Sequence, residues 1–320
     1  MRAIAVSTFR AEPALVEIPK PDPRPGQVRV RIEYASLNPR DGQLADGSLD
    51  GPAPQAFPLV VGVDYAGRVD MIGSGDNRFR VGDHVFGRTG GPAAGAGTYC
   101  DYVCVPQDSA ITLVPRGLDA RIAAALPSAG MAAAQILDAV SPRGHESLLV
   151  VGAAGGVGSC LTQLAKARDV RVIAAVRGDE RSRMGSLGAV VTIDVTDGPA
   201  ADAVRAACPD GVDALADLAS ATSEEFAAHA ATLRPGALAL STRGVAAGAP
   251  LPDGVRGVDF RLDPSPVLLD VLAAGAADGV LRVPIDSELP LEKAPQALER
   301  NRIGGARGKT VIVLREHGRC

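Results

Sequence analysis

The 320-residue chain has no tryptophan, and aromatic residues make up only 3% of it. Tyr34, Tyr65, Tyr99 and Tyr102 are therefore the only phenols open to a proton-donor role. Histidine is as scarce: the four residues are scattered, and none stands in a pattern that makes a convincing base. The five cysteines, Cys100, Cys104, Cys160, Cys208 and Cys320, are odd in number and lack the spacing of a disulfide framework. Cys100 and Cys104 are four apart in a strand-like run and so share a face, but the neighbouring sequence offers no clear set of ligands to complete a metal site. They read as structural thiols. Net charge is −4 with both signs mixed, and neither a basic stripe nor an acidic tail marks a nucleic-acid partner. The Ala-rich uncharged stretch 122–137 is broken by Pro127 and Gly130 and is short for a bilayer span. The start, 1–9, reads as a strand and not as a signal peptide, so the expected location is cytoplasmic.

What is abundant is apolar sequence. Hydrophobic residues make up 46%, enough for sizeable cores, and the length allows one large domain or two ordinary ones. Two textures divide the chain. Up to about residue 118, short β-like runs at 27–35, 59–72, 84–87 and 98–105 are separated by turn clusters such as Pro21-Asp22-Pro23-Arg24-Pro25-Gly26. A Gly/Ala-rich loop at 88–97 is expected to be mobile. From residue 119 strands alternate with helices: a helix over 120–140, a strand at 147–151, a helix over 156–167, a strand at 170–176 and a helix over 179–187. Further strands are expected at 189–193, 214–218, 237–241 and 257–262. Such alternation implies βαβ units and a parallel sheet. The tail from residue 264, with helices near 267–277 and 291–301 and a strand at 310–314, returns to mixed texture and can pack back on the first domain. The expected domains are thus 1–118 with 265–320, and 119–264.

The glycine-rich turn Gly152-Ala153-Ala154-Gly155-Gly156-Val157-Gly158 carries the functional reading. Alone such a pattern is weak, but here a buried-type strand, Leu148-Leu149-Val150-Val151, runs directly into it and a helix follows directly. Gly152 permits the tight turn, Gly155 the close approach of a pyrophosphate, and Gly158 the close packing of helix on sheet. The helix start then offers free N–H groups and a positive dipole end to phosphates. The end of the second strand chooses between cofactors. A site for NAD usually has an acid about 20 residues past the turn. This chain has Val176-Arg177-Gly178-Asp179, with Arg181 shortly after. Guanidinium suits a 2′-phosphate and has nothing comparable for a diol, so NADPH is the expected cofactor. Asp179 is the rival, as a ribose ligand. Arg243 and Gly244, after a later strand of the same domain, are expected near the nicotinamide end.

With these residues in view the chain resembles the zinc-free medium-chain dehydrogenase/reductase superfamily, in its quinone oxidoreductase branch. The resemblance runs nearly end to end. It includes Ser36-Leu37-Asn38-Pro39-Arg40-Asp41, Phe57-Pro58-Leu59-Val60-Val61-Gly62-Val63-Asp64-Tyr65-Ala66-Gly67, Phe79-Arg80-Val81-Gly82-Asp83-His84-Val85, Gly97-Thr98-Tyr99, Ala123-Ala124-Ala125-Leu126-Pro127, Leu233-Arg234-Pro235-Gly236 and Ala306-Arg307-Gly308-Lys309. It implies an α/β protein: a Rossmann doubly wound parallel sheet, a GroES-like β-rich catalytic domain, and a cleft between them. It also implies hydride transfer from NADPH, a small-molecule substrate and often a homodimer. Zinc-dependent relatives carry Cys near the position of Asn38 and Gly-His-Glu where this chain has Gly62-Val63-Asp64, so no catalytic zinc is expected. Gly42-Gln43-Leu44-Ala45 lacks the basic residues common there, Val195 stands where many relatives have Tyr, and Ala132 replaces a common Thr.

Zinc polarises a carbonyl as a Lewis acid. Without it a conjugated acceptor is the easier substrate, because charge spreads to a distant oxygen that hydrogen-bond donors can stabilise. Quinones, enones and enoyl thioesters fit this description. By resemblance Asn38 would orient substrate or ribose near the nicotinamide, while Tyr65 is a candidate proton donor. Asp41 and Asp64 read as structural hydrogen bonders. Two alternatives remain at this stage: a biosynthetic tailoring enzyme that reduces or cyclises a natural-product intermediate on the same fold, and a non-catalytic NADPH-binding protein.

Overall fold

In the computed structural model, the structure describes residues 1–47, 56–90, 97–196, 198 and 201–314. The chain divides into two compact units, Met1–Met131 with Pro264–Cys320, and Ala132–Asp263. Of the loop expected to be mobile, 91–96 lie outside the described residues, as does Cys320.

The first unit opens with β1 (Arg2–Val6), β2 (Ala14–Glu17), β3 (Gln27–Ser36), α1 (Pro39–Asp46), β4 (Leu59–Val60), β5 (Asp64–Ile72), β6 (His84–Arg88), β7 (Tyr102–Pro106) and β8 (Ile111–Leu113). The run read as one strand at 59–72 is broken between β4 and β5. Gly62 there takes φ +93°, a left-handed value that ends the extended pairing, and Thr98 and Tyr99 lie against its α-carbon. Two helices follow, α2 (Ala120–Ala125) and α3 (Pro127–Val140), where the sequence suggested one. Pro127 has no N–H to give to the turn before it, so the helix restarts there. The division between units falls inside α3, later than the boundary expected at residue 118, because α2 packs on β3, β5 and β6 of the first unit.

The second unit contains β9 (Ser147–Val151), α4 (Gly156–Lys166), β10 (Arg171–Val176), α5 (Arg181–Leu187), β11 (Val191–Asp194), α6 (Ala201–Ala207), β12 (Val212–Asp217), α7 (Ser223–Ala230), β13 (Leu233–Ser241) and β14 (Arg256–Asp259). Its six strands form one sheet in the order β11-β10-β9-β12-β13-β14, every neighbouring pair parallel. This is the doubly wound order, with the reversal of winding between β9 and β12. All five residues of β9 are buried, as an inner parallel strand covered on both faces requires. Because the strands are parallel, Val151, Asp217 and Ser241 come into register at one edge, and the loops after β9, β10, β12 and β13 all leave from it.

The chain then returns to the first unit with α8 (Pro266–Ala277), β15 (Ile285–Pro290), α9 (Ala294–Ile303) and β16 (Lys309–Val313). There β15, β16, β3, β5, β6 and β8 form one sheet in that order, with β7 also paired to β3, and β2-β1-β4 form a smaller one. β16 pairs antiparallel to β3, setting Val311 opposite Ser36 and so bringing Lys309 toward Asn38. The core of this unit joins Ile4, Ile32, Tyr65, Val85, Tyr99, Ile111 and Ile312. Among the described residues no helix is long and apolar enough to cross a membrane.

Candidate functional site

At the end of β9 the chain turns through Gly152 at φ +79°, and the N–H groups of Gly152 and Ala153 both donate to Ala175 O of β10, at 3.0 and 3.2 Å. Gly155 N donates to Gly152 O at 3.1 Å, and Ser159 N makes the first helical bond, to Gly155 O at 2.9 Å. The amides of Gly156, Val157 and Gly158 stand ahead of that bond, at the positive end of an eleven-residue helix. Glycine at 158 is a steric necessity: a Cβ there would lie 2.5 Å from Ala153 Cα and 2.7 Å from the carbonyl oxygens of Gly152 and Ala153. Gly155 is different. Its φ is −72°, a value open to any residue, and an added Cβ would meet only Gly152 O at 3.4 Å. The reason for glycine at 155 is therefore the space kept free outside the turn, and backbone conformation does not demand it.

Around this turn the sheet edge supplies charge. Arg177, directly after β10, and Arg181, at the start of α5, are exposed, and neither guanidinium has an ion-pair partner among the described residues. Between them Gly178 N donates to Asp194 Oδ1 at 2.9 Å and to Thr196 Oγ1 at 3.0 Å. The Thr196 hydroxyl, then the Gly178 and Thr196 amides, hold the Asp194 carboxyl below its ordinary range. Asp179 is exposed and accepts from Arg181 N at 3.4 Å. The buried acid here is Glu180, 5% exposed and paired with Arg183 at 2.5 Å. Arg183 in turn donates from Nη2 to Ala154 O at 3.0 Å, inside the glycine turn. Arg243 and Gly244 are exposed at the same sheet edge, after β13, with Arg243 N on Ser241 Oγ at 3.0 Å.

The loop after β12 is fixed by Asp217, which is fully buried. It accepts from Ala219 N (3.0 Å), Ser220 N (2.8 Å), Ser220 Oγ (2.6 Å) and His229 Nδ1 (3.2 Å). Burial works to raise its pKa, but the bonds from His229 and Ser220 outweigh it and hold the carboxyl below its ordinary value. Ser220 Oγ also lies 3.3 Å from His229 Nδ1, so serine and carboxylate meet the same ring nitrogen and are not relayed through the two nitrogens of the imidazole. The trio anchors the loop that lies against Gly152, where an added Cβ would come 3.1 Å from Ala219 Cβ.

The first unit holds a second polar centre, which is closed. Asn38 caps α1 before Pro39, and Asp41 Oδ2 reaches back to Asn38 N at 2.8 Å. The Asn38 amide donates to Asp64 Oδ2 at 3.0 Å and to Ser36 O at 3.3 Å, while its oxygen accepts from Lys309 Nζ at 2.6 Å. Lys309 also donates to Leu37 O at 2.8 Å and lies 3.8 Å from Asp64. Asp64 further accepts from Ser128 Oγ at 2.7 Å and Ser128 N at 3.2 Å, and Arg88 Nε donates to Ser128 Oγ at 3.0 Å. Tyr99 donates to Asp41 Oδ2 at 2.7 Å. Burial, with a smaller contribution from Asp64 nearby, raises the Asp41 carboxyl to about 7 against the bonds from Tyr99 and Asn38. Burial and the adjoining Asp41 hold the Tyr99 phenol well above its ordinary value.

Models of two families match the chain: an alcohol dehydrogenase GroES-like domain over residues 24–116 and a zinc-binding dehydrogenase domain over 187–312. The chloroplast envelope quinone oxidoreductase homolog of Arabidopsis thaliana is 28% identical over 93% of this chain and 92% of its own. The quinone oxidoreductase of Rattus norvegicus is 27% identical over 98% of both. Among solved structures, the quinone oxidoreductase from Coxiella burnetii superposes with a TM-score of 0.87 at 27% identity, covering 98% of this chain and 99% of that one. The mycobacterial protein Rv1454c complexed with NADPH superposes at 0.84 with 25% identity, covering 98% and 100%. The chain belongs to the medium-chain dehydrogenase/reductase superfamily. Several of its relatives are named quinone oxidoreductases and others alcohol dehydrogenases, and it is an oxidoreductase resembling the former.

For a member of this superfamily the candidate residues fall out unevenly. Gly152 through Gly158, Arg177, Arg181, Arg243 and Gly244 gather at one edge of the parallel sheet. Asn38 is 8% exposed and its amide is taken up at both ends by protein partners, which leaves little of it for a substrate. Tyr65 is fully buried in the core; its hydroxyl has no partner among the described residues, and burial pushes its pKa up. The geometry gives no support to Tyr65 as a proton donor, because the whole side chain is buried in the core of the first unit. At Asn38 and Asp64 the chain itself places a cation, the Lys309 ammonium, at 2.6 and 3.8 Å. Among the described residues no three His, Cys, Asp or Glu side chains are grouped to hold a metal. Sequence reading missed Glu180 and Arg183, although their i,i+3 spacing at the head of α5 was visible.

Proposed function

We propose that this chain binds NADPH at the glycine turn and passes hydride to a conjugated acceptor, a quinone, an enone or an enoyl thioester, without zinc. The observation that carries the reading is the turn itself. It keeps open the space outside Gly155 and presents amides with no helical partner toward it, beside two exposed guanidiniums, Arg177 and Arg181, that have no ion-pair partner among the described residues. The residues present therefore fit a dinucleotide carrying a diphosphate and a 2′-phosphate. When bound, NADPH supplies the hydride. The chain's part is to hold the diphosphate on the amides of α4, to pair the 2′-phosphate with Arg177 and Arg181, and to keep the loops after β12 and β13 in place through Asp217 and Ser241. With Lys309 holding Asn38 and Asp64, a metal has no share in polarising the acceptor. A conjugated substrate needs that help least.

The engagement of Asn38 by protein partners and the burial of Tyr65 favour one second reading, an NADPH-binding protein without turnover. The test is a panel of quinones, enones and enoyl thioesters, with NADPH oxidation followed by absorbance and products weighed by mass spectrometry. Consumption of NADPH matched by reduced product supports the enzyme. Tight binding without consumption on any acceptor replaces it with the binding protein, and absence of cofactor binding overturns both.

A further inference from the structure

Arg183 is the third residue of α5, and its side chain runs back to the glycine turn. Its Nε is held by Glu180 Oε2 at 2.5 Å and its Nη2 by Ala154 O at 3.0 Å. The remaining nitrogen, Nη1, is buried and has no hydrogen-bond partner among the described residues. A guanidinium is a flat, rigid fork, so fixing two nitrogens fixes the direction of the third. Leaving a buried charged donor unpaired is costly, more so than for a neutral group. Within the chain the other two donors have already found their acceptors, one of them a buried acid with 5% exposure. Among the described residues nothing meets that demand, which stands beside Ala154.

Resting on the nucleotide reading of the turn, we infer that Arg183 is a cofactor-contact residue. Its Nη1 takes an oxygen of the adenosine-diphosphate portion, the part that NADH and NADPH share. Two contrasts separate it from Arg177 and Arg181. Those two are exposed and carry no tie to the turn, which suits a 2′-phosphate that faces solvent. Arg183 is joined to the carbonyl of the residue two places after Gly152, so its free nitrogen belongs with the group that sits on the turn itself. Arg183 also steadies the turn before any ligand arrives. Cofactor choice and cofactor affinity are thereby assigned to different arginines.

Calorimetric titration of ADP, NADH and NADPH into the full-length parent, R183M and R183K at low and high salt tests this. One charge-assisted bond corresponds to about a tenfold change in affinity. R183M is expected to weaken all three ligands by about that factor, leaving the NADPH-to-NADH ratio where it was. Its dependence on salt should be shallower than the parent's, because one screened ionic contact is gone. R183K, which keeps a positive charge, should recover part of the loss. Should R183M melt early because Glu180 is left unpaired, the double variant E180Q/R183M removes that burden and is titrated in its place. Unchanged affinities in R183M overturn the inference. So does a loss confined to NADPH, which would make Arg183 a 2′-phosphate residue, and so does a uniform loss with the parent's salt dependence intact, which would leave it only a brace for the turn. A parent that binds none of the three ligands refutes the nucleotide reading itself, a result distinct from the other three.

Discussion

Around Asp64 both carboxylate oxygens are met by donors from within the first unit, whereas the glycine turn of the second unit leaves the amides of Gly156, Val157 and Gly158 ahead of the first helical bond. Both centres are polar, and both lie at the end of a buried strand. They differ in what they do with their unused capacity. The first spends Lys309, Asn38 and Ser128 on one another and reads as a structural brace joining β3, β5, α3 and β16. The second holds its carbonyls and carboxylates in place, through Ala175 O, Gly152 O and Asp217, and keeps donors free. Such a difference separates a group that stabilises a fold from one that receives a ligand: buried polar atoms are satisfied internally unless something else is to satisfy them.

Asp41 has spare capacity in the closed centre, since its Oδ1 has no partner among the described residues. It gives the sharpest test of the brace. Its carboxyl is raised from 3.8 to about 7, first by burial. Between those values the folded chain keeps a proton that the unfolded chain has lost. Stability from this group is thus fully present below pH 4 and declines as pH rises through 7. A shift of about three units corresponds to roughly 4 kcal/mol. Carboxyls held low, such as Asp217 and Asp70, act in the opposite sense at lower pH, so the difference between parent and variant is what must be read. Asp41→Asn preserves an acceptor for Tyr99 and for Asn38 N but cannot ionise. Denaturant melts from pH 4 to 8 should show the parent losing stability relative to the variant. Parallel profiles would show that Asp41 is ionised throughout and that the centre holds its charge without strain.

The second comparison is inside the turn. Gly158→Val places side-chain atoms where the Cα and carbonyl of Ala153 already are, so the helix must move from the strand, at a cost of about 1–3 kcal/mol or more. Both thermal stability and cofactor binding should fall. Gly155→Val meets no such obstacle, and its φ of −72° suits valine. It should melt close to the parent yet fail to bind, because its side chain fills the space outside the turn. Calorimetry on the two variants reads this directly. If Gly155→Val binds NADPH as tightly as the parent, the ligand does not sit on this turn.

How far the sequence alone could go follows the same line between local and distant. The run Leu148-Leu149-Val150-Val151 followed by glycines is a local pattern, and the strand, turn and helix stand where it places them. Arg177 and Arg181 were legible for the same reason. Asn38 was legible as a residue of interest, but its occupation by Lys309 was not, since 271 positions separate them and only the pairing of β16 with β3 brings them together. Tyr65 carries no local sign that its hydroxyl faces the core. Pro127 was in plain view and should have divided the helix. Strand β2 and helix α1 are short, and α1 carries a glycine in its middle, so their apolar periodicity was too brief to read.

On the proposed reading, cofactor choice is the finest distinction the open centre makes, and it turns on Arg177 against Asp179. Both are exposed at the end of β10, and among the described residues the side chain of Asp179 accepts only the long bond from Arg181 N at 3.4 Å. A single charge-assisted bond from Arg177 to a 2′-phosphate contributes about 1.5–3 kcal/mol, or roughly ten- to a hundredfold in affinity. Arg177→Ala should weaken NADPH by that factor and leave NADH nearly where it was. The loss should shrink at high salt, because an exposed charge pair is screened. Asp179→Ala should then do little, or tighten NADPH slightly by removing a negative charge from beside the phosphate. The opposite pattern is equally definite: a parent that prefers NADH and is damaged by Asp179→Ala would make the acid a ribose ligand. Titrating both cofactors into the parent and both variants separates the two. Equal use of NADH and NADPH by the parent, unmoved by Arg177→Ala, would remove Arg177 from the site and leave the 2′-phosphate without its principal partner.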